Sequence, residues 1–460
     1  MLMKKVKPCL SFFNFSLKNV SLCFLTAAFL FFSACKKGYD ARYPEPGKGG
    51  YIPTSKDRAT VATDWYKLQL RMILQSSPAK SNLATIRLFA YSGVSLFEAA
   101  RFEIYNSKSL QGQLNEMPEM PQPENGKKYS WILAANAALA SITRDLFPTP
   151  TAANTASIDS LEKVYNDNIA ASESADVVTR SEAFGDSVAS AIFSWSASDL
   201  FNHASDPYTP PIFDGAWIPT PPAYAAAAGP YFGNCRNFMS VFSQTTTPDP
   251  PYPYSEVAGS DFYKMVDNDY TISKTLTTDQ KNIAFFWNDV GVNVGYTPMG
   301  HCISILNQVL DNSNASLATA IVSYTRAGIA MWDASIVCWR SKYKYNQLRP
   351  VTYIQKVIDP AWLPLITTPA HPEYPAAHAF ITSSVMEALT SVFGNRYDFT
   401  DHTYDFLSYP SRTYSSFDDA ALECGQSRIY GGIHYQPSVD VGHEFGSAIG
   451  RAASLLDMTR

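Results

Sequence analysis

The chain has 460 residues, 46% hydrophobic and 13% aromatic, which is ample for a sizeable core in one large domain or two closely packed ones. The formal charge is −5, and setting aside the four lysines of residues 1–34 leaves 32 bases against 41 acids, a formal −9. A net acidic body carries no sign of nucleic-acid binding.

Residues 1–34 read as a targeting segment. Lys4, Lys5, Lys7 and Lys18 lead into an apolar run at 20–32, followed by Ser33-Ala34-Cys35. The run is short for a spanning helix, and small residues before the cysteine suit a cleavage site. This looks like a bacterial lipoprotein signal with Cys35 as the lipidated first residue, although Phe32 stands where leucine is commoner; an uncleaved signal anchor is the alternative. The expected location is the cell envelope, periplasmic or at the cell surface, with the membrane reached through the lipid anchor only. Residues 35–56, rich in Gly, Pro and Tyr, then serve as a tether. Cys9 and Cys23 leave with the signal. Cys235, Cys302, Cys338 and Cys424 are widely spaced in apolar stretches and read as buried free thiols.

From residue 57 onward helices dominate, and the expected class is mostly α. Apolar residues at three- and four-residue spacing predict helices at 58–75, 82–104, 131–146, 157–170 and 175–198. Residues 201–256 break the pattern with clustered Pro, Gly and aromatics and predict a long ordered loop. Helices resume at 261–271, 278–286, 300–311 and 316–342, then at 379–389 and 438–457. The division expected is an N-terminal helical part, 57–256, and a C-terminal part, 257–460, that carries the chemistry.

Three short segments in that last part stand out. The first is Lys342, six residues, then Arg349-Pro350; the second is Pro375-Ala376-Ala377-His378; the third is Ser427-Arg428, five residues, then His434. Two arginines and a lysine offer fixed positive donors for a tetrahedral oxyanion. Two histidines add a nucleophile or metal ligand and a general acid/base. Taken alone, Lys342 and Arg349 read as a solvated basic patch near Arg340 and Lys344; on one helix they would lie two turns apart on one face. His378 opens a helix whose N-terminal N–H groups favour anions. Gly431 and Gly432 allow a sharp turn before His434, and Gly442, Gly446 and Gly450 allow close helix packing behind it.

The three segments together resemble the superfamily of vanadium-dependent haloperoxidases and type 2 (phosphatidic) acid phosphatases, whose pattern is Lys-x6-Arg-Pro, Pro-Ser-Gly-His and Ser-Arg-x5-His-x3-Asp. The stretches Gly215-Ala216-Trp217 and Thr297-Pro298-Met299-Gly300-His301 extend the likeness. Ala376 and Ala377 replace the Ser-Gly pair, and Ser438 stands where the acid is expected, with Asp440 two residues later. The resemblance implies helical bundles around one catalytic centre. It implies vanadate held by Lys342, Arg349, Arg428 and the amide of Ala377, with His434 as its ligand and His378 as acid/base. Asp440, with Ser438 or a backbone carbonyl as substitutes, is the expected orienting acceptor for His434; Asp440 as a helix cap is the structural alternative. Asp289 and Asp333 are expected beside the arginines, or in ordinary ion pairs or caps. His301 and His443 are expected in core or surface roles, and His203, His371 and His402 in loops without a chemical part. Losing the Ala376 hydroxyl costs about 1 kcal/mol of oxyanion binding. The implied activity is halide oxidation by hydrogen peroxide. A phosphatase acting on phosphorylated small molecules, with His434 as nucleophile, and an inactive surface lipoprotein of the same fold are the alternatives.

Overall fold

The computed structural model describes residues 57–242, 245–290 and 293–459; the signal segment, Cys35 and the tether lie outside the described residues. Thirteen α-helices are present among them, in chain order α1 Thr60–Leu74, α2 Asn82–Ala100, α3 Trp131–Leu146, α4 Ala152–Ala170, α5 Ala175–Ser196, α6 Asp261–Lys274, α7 Thr278–Phe286, α8 Pro298–Asn312, α9 Leu317–Tyr345, α10 Pro350–Val357, α11 Ala377–Phe393, α12 Phe417–Tyr430 and α13 Gln436–Ser454. One short antiparallel pair, β1 Phe399–Asp401 and β2 Arg412–Tyr414, sits between α11 and α12. The protein is mostly α, as expected. Among the described residues no helix is long and apolar enough to cross a membrane.

The 29-residue α9 is buried along nearly its whole length from Leu317 to Lys342, most of its polar residues included. It packs on α2 on one side and on α11 on the other. One continuous core therefore runs from Ala59 to Met458. The N-terminal helices form a layer in which α3 lies against α5 and α2, and the C-terminal helices a layer in which α11 lies against α12 and α13. The loop expected at 201–256 wraps over these helices: Trp217 is buried, its backbone N–H donates to the Asn346 carbonyl at 2.7 Å, and Ala216 bridges to Gln347.

Side-chain chemistry sets the helix starts away from the motifs. Ser260, Thr277, Thr297, Ser316 and Ser416 each accept a backbone N–H at the head of α6, α7, α8, α9 and α12. Helices α10 and α12 were not among those predicted. The first has only eight residues, too few for its apolar stripe to stand out along the chain, and the second spreads its apolar residues round the helix.

Helices α11 and α13 touch backbone to backbone. A methyl built on Gly446 would stand 2.1 Å from the Phe380 carbonyl oxygen, and one on Gly450 2.4 Å from that of Ser384. This contact fixes the two helices whose N-termini carry the motif histidines. Gly446→Ala is expected to lower stability by about 3 kcal/mol through overpacking. Gly126→Ala, at φ +73° with nothing within 4 Å, is expected to lose only about 1 kcal/mol to backbone strain. Urea unfolding of both variants reads the difference, and equal midpoints would remove the close-packing account.

Candidate active site

Lys342 and Arg349 do not share a helix. Asn346 takes the left-handed conformation at the end of α9, with φ 48° and ψ 41°, and the chain reverses so that Arg349 becomes the N-cap of α10. The buried Lys342 ammonium donates to the carbonyls of Pro372 at 3.0 Å, Glu373 at 2.9 Å and Pro375 at 2.5 Å. Three acceptors use all three of its protons. With its protons on these carbonyls, Lys342 anchors the 372–375 loop and reaches the site through its charge. Burial pulls its pKa down, with Cys338 and Glu373 opposing and Arg349 adding to the fall.

The acceptor that orients His434 is Glu373. His434 Nδ1 lies 2.8 Å from Glu373 Oε1, which also accepts the Tyr435 N–H at 3.1 Å, while Ser438 donates to Oε2 at 2.7 Å. With a backbone N–H already on Oε1, that oxygen is an acceptor, so Nδ1 carries the proton and Nε2 the lone pair. Asp440 is not the partner expected for it; it is exposed on α13 and accepts from Gln436 at 2.7 Å. Burial, then the charges of Arg349 and Lys342, push the His434 pKa well below its usual value, which keeps the imidazole neutral.

The buried Arg349 guanidinium spans the site. Its Nε donates to the His371 carbonyl at 2.9 Å, Nη1 to the Ile433 carbonyl at 2.8 Å and to His434 Nε2 at 3.1 Å, and Nη2 to His371 Nδ1 at 2.9 Å. Arg428 Nε donates to Ser427 Oγ at 3.0 Å, Nη2 to the Trp287 carbonyl at 2.7 Å and Nη1 to His378 Nε2 at 3.2 Å. Burial and then Arg428 lower the His378 pKa to about 4, partly offset by Asp289, whose Oδ2 lies 3.6 Å from Nε2. Among the described residues neither guanidinium has a carboxylate within 4.0 Å. Burial depresses Arg349 to about 10, still charged at neutral pH.

These groups surround a cavity of about 170 Å³ lined by Trp339, His371, Ala377, His378, Arg428 and His434 among others. Helix α11 begins at this cavity with no side-chain cap on its first N–H groups; α10 and α13, each with proline in its first turn, likewise lack one. Ala377 opens α11 with no intrahelical acceptor for its amide. Ala376 turns its methyl into a small apolar cluster with Ala379, Ile429 and Val439 and brings no hydroxyl. The positive end of α11, two buried guanidiniums and a neutral imidazole whose Nε2 lone pair faces Arg349 make a site for a small oxyanion.

A family model described as "VCPO second helical-bundle domain" matches residues 323–458, the stretch that holds all three segments. The chain is also similar to a solved structure of a bacterial vanadium-dependent iodoperoxidase, with a TM-score of 0.80 at 29% identity over 90% of this chain and 99% of that one. Both likenesses support the vanadium haloperoxidase superfamily. Apo- and holo-type bacterial vanadium-dependent chloroperoxidases share the fold, with TM-scores of 0.62 and 0.57 at 17% and 16% identity, over 81% and 90% of this chain and 92% and 96% of theirs. A search of the curated proteins finds no match.

Two site residues of this haloperoxidase-fold chain escaped the sequence. Glu373 is 61 positions from His434, so no spacing rule links them. His371, expected to sit idle in a loop, lines the cavity 2.9 Å from Arg349. The Pro-flanked run His371-Pro372-Glu373-Tyr374-Pro375 was the one available signal, a rigid polar loop leading into the second segment. Asp333, expected near the arginines, accepts the N–H groups of Phe238 at 2.6 Å and Met239 at 2.8 Å. His443 pairs with Ser383 of α11 at 2.9 Å and does not line the cavity. Glu373→Gln is expected to weaken binding of orthovanadate, as a tetrahedral oxyanion probe, by about 10-fold or more. Asp440→Ala is expected to leave it unchanged. Titration calorimetry compares them, and an unaltered Glu373→Gln affinity would refute the orienting role.

Proposed function

We propose that the chain is a haloperoxidase-type enzyme that oxidises halide with hydrogen peroxide at a vanadate site. The observation that carries this reading is His434, with Nδ1 fixed on Glu373 and Nε2 facing the buried Arg349 guanidinium, which has no carboxylate against it among the described residues. The donor set suits vanadate: a neutral imidazole nitrogen for the metal, and Arg349, Arg428 and the uncapped amide of Ala377 for the oxygens. When bound, vanadate supplies Lewis acidity that makes peroxide open to attack by halide.

The chain's own residues do the rest. Arg349 gives up its bond to His434 Nε2 and turns that N–H toward the oxyanion. Lys342 holds the 372–375 loop, and with it Glu373, in place. His378 is neutral at ordinary pH with its lone pair on Nε2, and takes the proton of the incoming peroxide there. The cavity is smaller than the 300–1,000 Å³ or so usual for organic ligands, which suits peroxide and halide better than a phosphorylated organic molecule. Likeness to an iodoperoxidase supports iodide as the first halide to test.

Iodide and bromide oxidation by the purified full chain loaded with orthovanadate, followed with hydrogen peroxide, tests the proposal. Vanadate-dependent turnover abolished by His434→Ala is the expected result. Hydrolysis of p-nitrophenyl phosphate without halide oxidation would instead identify a phosphatase, and silence in both assays a protein without turnover. Activity should fall on acidification as His378 protonates, because an occupied lone pair accepts nothing. A bound anion lifts that titration above the value of about 4 set by the anion-free site. The exported, lipid-anchored location is part of the proposal: Cys35→Ala is expected to abolish incorporation of labelled fatty acid, and retained label would refute it.

A further inference from the structure

His301, on α8, is fully buried, yet both of its ring nitrogens face carboxylates. Nδ1 lies 2.7 Å from Asp289 Oδ1 and Nε2 lies 2.7 Å from Asp401 Oδ2, with Asp401 on β1. A neutral imidazole has a single N–H, so two carboxylate partners at this distance make His301 an imidazolium. Its ring stacks on Trp287 at 4.3 Å, and Phe286 and Tyr404 meet it edge-on. Tyr404 also donates to Asp289 Oδ1 at 2.6 Å, and Asp401 accepts the Thr403 N–H at 2.9 Å. Buried ion triads are poor sources of stability, since apolar replacements of like volume do as well. A chain of three desolvated charges therefore asks for another reason.

The reason lies at the other oxygen. Asp289 Oδ2 is buried and has no hydrogen-bond partner among the described residues, and it stands 3.6 Å from His378 Nε2. That nitrogen accepts from Arg428 Nη1 at 3.2 Å, and arginine only donates. Nε2 therefore carries a lone pair and has nothing to give Asp289, which explains the unpartnered oxygen. Asp289 also holds a φ of +59°, a backbone state that surrounding contacts must impose on a non-glycine residue.

We infer that His301 and Asp401 are positioning residues that hold Asp289 Oδ2 as the waiting acceptor for the proton His378 takes during turnover, an inference that rests on the haloperoxidase reading. The O–H bond of peroxide breaks and leaves its electron pair on oxygen. The proton joins the Nε2 lone pair, and the new Nε2–H donates to Asp289 Oδ2. Arg428 Nη1 is released to face the oxyanion. The charged and titratable groups around His378 are Arg428, Asp289, His301 and His371; around Asp289 they are His301, His378, Tyr404 and Arg428.

His301→Gln removes the buried cation while keeping one donor. Asp289 should then take a proton at neutral pH, seen as a protonated-carboxyl infrared band absent from the wild type. The acid limb of kcat should move up by about one pH unit or more, with the KM for iodide unchanged. Asp401→Asn is the milder second variant. It leaves His301 one carboxylate, and nitrogen NMR should show the imidazolium, doubly protonated at pH 8 in the wild type, losing a proton there. A folded His301→Gln protein with no new carboxyl band and a uniform fall in kcat at every pH would overturn the inference. So would a wild-type His301 that is neutral at pH 8. The spectroscopic arms need no halide turnover, so they decide the positioning role separately from the activity itself.

Discussion

Two guanidiniums sealed from water without a carboxylate against them set the terms for the C-terminal half of this fold. Arg349 and Arg428 are both at most 1% exposed. Burying such charge is expensive unless donors are satisfied and charge is matched. The chain satisfies the donors with carbonyls and imidazoles: Arg349 reaches His371, Ile433 and His434, and Arg428 reaches Trp287, Ser427 and His378. Those bonds tie together the loops that carry the three segments. They leave the charge itself unmatched, and a small anion in the cavity is the natural complement.

Glu373 is the carboxylate that holds His434, and its placement explains one departure from the family pattern. The position expected to hold an acid, Ser438, holds a hydroxyl that donates to Glu373 Oε2 instead. A short side chain there leaves room for a carboxylate arriving from the loop before α11. The loop is fixed in turn by Lys342, whose ammonium bonds three of its carbonyls. Lysine and glutamate thus act in series, one holding the loop and the other holding the imidazole. Burial pushes the Glu373 pKa up, while Lys342, Ser438, Arg349 and the Tyr435 N–H pull it back.

The helical class, the long loop over the bundle and the convergence of Arg349, His378, Arg428 and His434 were legible in the sequence, because periodicity and motif spacing report on local geometry. The rest depends on contacts between distant residues. Glu373 meets His434 across 61 positions and Asp401 meets His301 across 100. The sequence offered Asp440 because it is near His434 along the chain, but the turn of α13 carries it to the surface. Lys342 and Arg349 looked like neighbours on one helix because nothing in the spacing announces the left-handed Asn346 between them. His301 looked like a core residue, which its burial fits; its two carboxylates come from elements that only the tertiary structure brings together.

The starts of α10, α11 and α13 add a fixed field to these side chains. Elsewhere in this half, serine or threonine caps close the first turns of α6 to α9 and of α12. The caps of these three helices are Arg349, Ala376 and Tyr435, none of whose side chains accepts an N–H from its own helix. An oxygen supplied by the chain at these points would compete with an incoming anion for the same donors. The absence of the hydroxyl at Ala376 therefore has two opposed consequences: one direct hydrogen bond to an anion is lost, and the amide of Ala377 keeps no internal rival. Glycine-to-carbonyl contact between α11 and α13 prevents the helix ends from drifting apart to relieve their mutual repulsion. The unmatched positive field is thereby held in place by packing, ahead of any ligand, and selects for small, highly charged anions.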